Sequence, residues 1–533
     1  MNISFEKKFL IFLSFCFIIY FQGILNLPVL DRDEARFATA SKTMILENEF
    51  VDIKMVDEKR YKKPIGIYWT QIFSNLLIGD YPYDKIWVYR IPSILGVFLS
   101  LILIFFTLRR LETPIISFIT VFFLVFSLQV ISEIHQAKTD ALLFLFICIC
   151  NLIIYRVIKE REKFLTYLFW ISQAIGILIK GPIIIIFTIV PLLIFSIIKK
   201  ENYFSYFWSS GAFFIFLSIS IPWFVLINIK SNGLFWSESI GNDLFNKVKS
   251  GQESHGFPPG YYSLLLFLFF WPGCIFIFNT FWNLKKNFKK IMKKDDYSFY
   301  LIISFITPFL IFELIPTKLP HYVFPSYLPL SILIARNVVK VDSVQKLLNF
   351  STIPLLLFPL SILVMVIYAV FEYSNIDAFF LINIFILLLL ICVLLWFKKK
   401  KNIRSLIIFA GIFQIANFLI LVFFLIPKLD RFWISKKINN IIVKYEKDVD
   451  QTFTFGFNEP SLLFLTSHKA INNSFSELTN EKIKNTKILL IVTGEFINSI
   501  ESQIEYESFK IVDHFSGFNY SRGHNLEFKA FKN

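Results

Sequence analysis

Apolar runs of about twenty residues recur along the chain as far as residue 426, each long enough to cross a bilayer core as a helix. In hydrocarbon every backbone N–H and C=O needs a partner within the protein, so only helices and closed barrels can span. Barrel strands would alternate apolar and polar residues over short stretches; these runs are continuous. Composition agrees: 56% of the 533 residues are hydrophobic and 67 are Phe. The spacing predicts an all-α polytopic membrane protein with about thirteen transmembrane helices. They fall near 9–28, 86–108, 114–132, 139–155, 165–180, 182–198, 207–229, 261–283, 299–316, 321–338, 350–371, 378–397 and 405–426.

The net charge of +15 does not indicate nucleic acid. Lys and Arg cluster in short connections on one side: Lys7-Lys8, Arg109-Arg110, Arg156 to Lys163, Lys199-Lys200, Lys285 to Lys294, Arg336 with Lys340, and Lys398 to Arg404. Positive loops stay in the cytoplasm. The N-terminus is therefore expected inside, and loops 31–85, 230–260 and 316–320 outside. The first run follows Lys7-Lys8 like a signal peptide, but lacks a small-residue cleavage site and reads as a retained helix. The five cysteines all lie in apolar runs, which fits packing and not disulfides or a metal site. After residue 428 the chain turns polar. Gln451 to Phe457 alternates like a strand, Lys487 to Val492 reads as a buried strand, and Ile438 to Tyr445 as a helix. The expected organisation is a membrane module over 1–428 and a small periplasmic α/β domain over 429–533.

Chemistry-bearing residues gather on the outer side. Asp31-Arg32-Asp33-Glu34 with Arg36 follows directly on the first apolar run, and charge at a membrane boundary must be solvated, paired or given a ligand. The D-x-x-E spacing also suits a capping box. Two amphipathic segments follow, Glu34 to Leu46 and Pro64 to Leu77, with the cationic run Lys59, Arg60, Lys62, Lys63 between them; such helices lie along the interface. Lys62-Lys63 is equally suited to lipid phosphates. Lys138-Thr139-Asp140, Lys180-Gly181-Pro182, Glu253-Ser254-His255-Gly256 and Lys318-Leu319-Pro320-His321-Tyr322 open or close other runs on the same side. Taken singly, a membrane-end Lys snorkels and an acid caps a helix. Together, cations beside carboxylates suit a lipid-linked phosphate leaving from a sugar, with an Asp to take the proton of the incoming hydroxyl.

These residues resemble the GT-C type of membrane glycosyltransferase, in its bacterial branch of lipid A aminoarabinose transferases and protein mannosyltransferase-like enzymes. The resemblance is carried by Asp33-Glu34-Ala35-Arg36-Phe37-Ala38, Lys63-Pro64-Ile65-Gly66-Ile67-Tyr68-Trp69, Thr139-Asp140, Lys180-Gly181-Pro182, Pro222-Trp223, His255-Gly256 with Tyr261-Tyr262, and Lys318-Leu319-Pro320-His321-Tyr322. It implies transfer of a sugar from a polyprenyl (undecaprenyl) phosphate to an envelope acceptor, such as lipid A, a lipopolysaccharide glycan or a protein, with inversion, on the periplasmic face of the inner membrane. It implies catalytic roles for Asp33 and Glu34, and donor-phosphate binding by Arg36, Lys63, Lys318 and Tyr322. Asp140, Lys180, His255 and His321 would bind sugar or acceptor. Some relatives place an acid before the Lys-Pro motif, where it helps hold a divalent metal; here that position is Lys62. Glu34, Glu253 and His255 are the substitute metal candidates. The competing readings are a polytopic lipid or sugar transporter, which would put ionisable groups at the bilayer midplane, and a non-catalytic envelope assembly protein.

Overall fold

The computed structural model describes residues 4–249, 256–340, 347–348, 350–373, 378–466, 471–472, 478, 485–494, 496 and 509–533. Each of the thirteen apolar segments is helical there. Among the described residues, nine helices are long and apolar enough to cross a membrane. Two further segments are broken pairs: Pro114–Val125 with Leu128–Ile134, bent by 63°, and Tyr261–Phe269 with Gly273–Lys294, bent by 114°. Two are shorter, Thr166–Lys180 and Ile183–Lys199. The first break falls at Ser127, whose hydroxyl accepts from the Val130 N–H and starts a new helix. The second falls at Trp271-Pro272-Gly273, where Pro cannot continue the ladder.

The helix Thr139–Glu160 has Asp140 in its first turn and Glu160 at its last residue. Their separation is about 30 Å by helix rise, the thickness of a bilayer core. Its Glu160 end lies among ion pairs: Arg156–Glu160 at 2.6 Å, Arg161–Glu201 at 2.6 Å, Arg336–Glu112 at 3.2 Å, and Arg109 with Glu6. Its Asp140 end faces the first loop and the C-terminal sheet.

One buried pair organises that loop. Helix α1 (Phe5–Asn26) is followed by α2 (Asp33–Leu46), α3 (Gly66–Ile78) and α4 (Ile86–Leu111), with a two-residue ribbon, β1 (Lys54–Met55) and β2 (Glu58–Lys59), between α2 and α3. Arg90, in the second turn of α4, is fully buried and uses all five of its N–H groups. Two go to Glu34, Nε to Oε1 at 2.8 Å and Nη2 to Oε2 at 2.7 Å. Three go to the carbonyls of Ile24 (3.1 Å), Leu27 (2.7 Å) and Pro28 (2.7 Å), at and just past the end of α1, where helix carbonyls lack partners and favour a cation. Glu34 is completed by the N–H groups of Leu30 (2.9 Å) and Ala137 (2.8 Å). The capping box expected over Asp31 to Glu34 does not form: Glu34 accepts from the N–H of Leu30, one residue before Asp31, and Arg32, at the cap position with a φ of 67°, makes no side-chain capping bond.

The two amphipathic segments fare differently. Helix α3 does present an apolar face, with Trp69, Phe73, Leu76 and Leu77 exposed. Helix α2 does not lie at an interface: from Glu34 to Met44 every residue but Arg36 is buried. It is covered by α3 and by the C-terminal helix Pro460–Thr466. That C-terminal region forms a five-stranded mixed sheet of β3 (Gln451–Phe455), β4 (Ile471–Asn472), β5 (Ile488–Thr493), β6 (Lys510–Asn519) and β7 (His524–Lys532), in the order β4-β3-β5-β7-β6. The strands expected at 451–457 and 487–492 are β3 and β5, paired in parallel. The β6–β7 hairpin was not legible, because its strands mix exposed and buried positions irregularly. The helix Ile434–Tyr445 packs on the sheet through Ile434, Ile438, Ile441 and Ile442.

Removing Arg90 strands a buried carboxylate and three carbonyls. Arg90→Met is expected to cost about 3–5 kcal/mol, read as a lowered unfolding midpoint of the detergent-solubilised protein. Glu34→Gln/Arg90→Met should lose less than the sum of the two single variants.

Candidate active site

Where α2, the 60–63 loop, the start of Thr139–Glu160 and the 317–322 turn converge, they enclose a cavity of about 590 Å³. Eight Lys and Arg side chains and five carboxylates line it, along with His321 and Tyr322. The excess of cations makes it a receptor for anions. The C-terminal sheet supplies one wall through Tyr520 and Ser521 at the β6–β7 turn.

Asp33 and Arg36 lie three residues apart on α2, on one face of the helix. Asp33 is exposed to the cavity, and no hydrogen bond to it is seen among the described residues. Burial under the surrounding protein raises its pKa. The charges of Arg60, Lys138 and Lys63 outweigh that and hold the carboxyl below its ordinary range. Arg60 stands with its guanidinium 5.3 Å from the Phe37 ring. Asp31, expected as a cap for α2, instead caps a different helix: its carboxylate accepts from the N–H of Ser461 at 3.0 Å, in the first turn of Pro460–Thr466. Its own N–H donates to the Tyr520 hydroxyl at 2.8 Å, and Arg32 reaches the carbonyl of Ser521. The sheet is thus fastened to the residues beside Asp33.

Lys63 pairs with Asp243, which also accepts from Lys247 at 2.7 Å. Asp243 belongs to Ser237–Phe245, a helical segment wound wider than an α-helix. Burial lowers the Lys63 pKa to about 8; Asp243 props it up, while Lys247 and Lys180 depress it further. Asp140 opens its helix, where the N-terminus favours an anion, and Lys180 closes Thr166–Lys180, where the C-terminus favours a cation. The two meet at 2.5 Å. Lys180 Nζ also sits 5.2 Å from the centre of the Tyr322 ring. His321 Nε2 lies 3.8 Å from Asp140 Oδ2, and its Nδ1 is 3.3 Å from Lys138 Nζ. An ammonium only donates, so Nδ1 accepts and the ring proton sits on Nε2, towards Asp140. Lys138 continues to Glu133 at 3.0 Å.

Asp33, Arg36, Lys63, Asp140, Lys180, His321 and Tyr322 therefore share one cavity. Two expected residues, Glu34 and Lys318, are engaged elsewhere. Glu34 reaches the cavity wall, yet both its oxygens are taken up by four N–H groups, leaving none for catalysis or for a metal. Lys318 is not in the lining. It is buried and caps the end of helix Asp296–Leu314, donating to the carbonyls of Glu313 (2.7 Å), Phe312 (3.3 Å) and Ile315. Glu253 and His255 lie outside the described residues. Among the described residues no group of three His, Cys, Asp or Glu side chains is gathered to hold a metal. Sequence reading missed Arg60, Lys138, Asp243 and Lys247 as site residues. Arg60 and Lys138 sat inside flagged motifs, whereas nothing in 230–250 marked Asp243 as the partner of a lysine 180 positions earlier.

The pattern of the dolichyl-phosphate-mannose-protein mannosyltransferase family matches residues 62–225, which carry Lys63, Asp140 and Lys180. The undecaprenyl phosphate-alpha-4-amino-4-deoxy-L-arabinose arabinosyl transferase 2 of Proteus mirabilis is 24% identical over 332 residues, 61% of this chain and 58% of that one. The chain is similar to these membrane glycosyltransferases. An uncharacterized protein of Aquifex aeolicus is 24% identical across 92% of both chains. Among solved structures, ArnT of Cupriavidus metallidurans shares the fold of this chain from end to end. Its apo form gives a TM-score of 0.74 at 14% identity over 99% of this chain and 98% of that one. Its form bound to undecaprenyl phosphate gives 0.72 at 15%, over 98% and 97%. The matches to named arabinosyl transferases span little more than half the length of those proteins.

Lys63 is charged at neutral pH and loses that charge as pH rises through about 8. Its acylation by an amine-selective reagent, followed by peptide mass spectrometry, should rise through that pH and not near the usual lysine value. In Asp243→Asn, which removes the supporting anion, the rise should move to lower pH.

Proposed function

We propose that the protein transfers a sugar from a polyprenyl phosphate to a hydroxyl-bearing cell-envelope acceptor, with inversion at the sugar carbon. The observation that carries this reading is the exposed Asp33 carboxylate in the same cavity as Arg36, Arg60 and Lys63. The acceptor oxygen attacks the anomeric carbon, the bond from that carbon to the phosphate oxygen breaks, and the lipid phosphate departs with the bonding electrons. Arg36 and Lys63 neutralise the charge growing on that phosphate, with Tyr322 beside Lys180 on the same wall. Asp33 takes the proton of the acceptor hydroxyl. Asp140, held by Lys180 and faced by His321, suits hydrogen bonding to sugar hydroxyls.

The electrostatics suit this order of events. A carboxylate held below its ordinary range is ionised and weakly basic. Arrival of the donor phosphate offsets the field of Arg60 and Lys63, which raises Asp33 towards a useful basicity once substrate is bound. No step is routed through a metal, since Glu34 is fully engaged by N–H groups.

The protein is read as resident in the cell inner membrane, with a cytoplasmic N-terminus and with the cavity and C-terminal sheet on the periplasmic side. Support comes from the basic connections around Arg109, Arg161, Lys199 and Arg336, which lie at the helix ends away from the cavity. The mannosyltransferase likeness suggests a protein as the acceptor class; lipid A and a lipopolysaccharide glycan are the alternatives implied by the resemblance of the sequence motifs.

Asp33→Asn in purified, folded protein should lower transfer about 10²–10⁴-fold while polyprenyl phosphate still binds, assayed by product mass and lipid retention. Near-normal turnover would contradict the assignment. Lys63→Ala should instead weaken donor binding, by about 1.5–3 kcal/mol.

A further inference from the structure

The end of the molecule away from the cavity holds a feature that sugar transfer leaves unused. Beyond the 114° bend, helix Ile277–Lys294 carries Lys285, Lys289 and Lys293 in one row and Lys286, Lys290 and Lys294 in the next. Each row is spaced i, i+4, where like charges repel. None of these six lysines has a carboxylate ion-pair partner among the described residues. The helix is tied to the basic end of the bundle: Lys199 donates to the Met292 carbonyl and Asn283 to Asn337 at 2.8 Å. Its opposite face is apolar, and a strongly one-sided helix of this kind belongs at a membrane–water boundary.

Between this helix and Asp296–Leu314 runs a groove of about 430 Å³. Phe281 and Phe288 form one side, Phe305 and Ile306 the other, and Lys285 and Lys289 are the two charged residues of its lining. Ile306 lies ten residues beyond Asp296, about 15 Å along the helix by its rise. The groove thus joins a paired cation to an apolar slot. A soluble phosphate would satisfy the lysines and leave the slot without an occupant. An anionic phospholipid fills both parts, and basic pockets between membrane helices bind such headgroups.

We propose that this groove binds an anionic phospholipid, with its headgroup phosphate on Lys285 and Lys289 and an acyl chain between Phe288 and Ile306. The proposal stands apart from the transfer reaction. If it fails, the reading of the cavity is untouched.

The test is native mass spectrometry of the full-length protein after exposure to vesicles holding phosphatidylglycerol and phosphatidylcholine in equal amounts. Preferential retention of one phosphatidylglycerol is expected. Lys285→Gln/Lys289→Gln should reduce that retention roughly thirtyfold, from about 1 kcal/mol for each lysine. Lys286→Gln/Lys290→Gln, outside the groove lining, should leave it near the parent level. Ile306→Trp, which fills the slot and keeps both lysines, should lower it as well. Unfolding midpoints accompany each variant, and a variant that unfolds is set aside in favour of the other groove variant. Equal retention of the two lipids overturns the proposal. So does an equal loss from both lysine pairs, which would mean diffuse attraction, and so does full displacement of the lipid by inorganic pyrophosphate, which would mean a free phosphate site.

Discussion

The Arg90–Glu34 pair is the interaction on which the rest of the cavity depends. Two charges are withdrawn wholly from water, and they persist because every donor of one and every acceptor position of the other is met. The pair binds four stretches that are far apart in sequence: the end of α1, the start of α2, the second turn of α4 and the residues before Thr139. Asp33 is the residue before Glu34, and Arg36 is two residues after it. Asp33 and its cationic neighbour are therefore placed by a bond that lies outside the proposed chemistry. The fastening of Asp31 and Arg32 to Tyr520, Ser461 and Ser521 holds the same short stretch from its other side.

The cavity that results is electrostatically incomplete. Lys63 and Lys247 share one carboxylate, Asp243, and Lys180 and Lys138 share the neighbourhood of Asp140 and His321. Arg36 and Arg60 enlarge the positive excess. An anionic ligand relieves this excess and at the same time frees Asp33 from part of the field that suppresses its basicity. In the proposed reaction, binding and activation of the base are then one electrostatic event, which is a reason for the cations and the acid to crowd into the same volume.

Much of this was legible in the sequence because it is local. Continuous apolar runs dictate helices in a bilayer, and charged motifs at their ends marked Asp33, Arg36, Lys63, Asp140, Lys180, His321 and Tyr322 before any coordinate. What failed was long-range pairing. Glu34 reads as a second reactive acid until Arg90, 56 positions later, is found against it. Lys318 reads as a phosphate ligand, but its flexible stem folds back onto three carbonyls at the end of the preceding helix. Helix α2 reads as interfacial from its own periodicity, and only the arrival of Pro460–Thr466, more than 400 residues on, buries its remaining face. The β6–β7 turn that completes the cavity wall carried no pattern linking it to the first loop.

The central claim is that this cavity receives the phosphate of a polyprenyl donor beside Asp33. The most direct measurement is a cryo-electron-microscopy map of the full-length protein with undecaprenyl phosphate bound. The account predicts phosphate density within about 3.5 Å of Lys63 Nζ and the Arg36 guanidinium, with Lys63 drawn away from Asp243. Phosphate density outside the cavity, or inside it with both Lys63 and Arg36 turned away, would contradict the account.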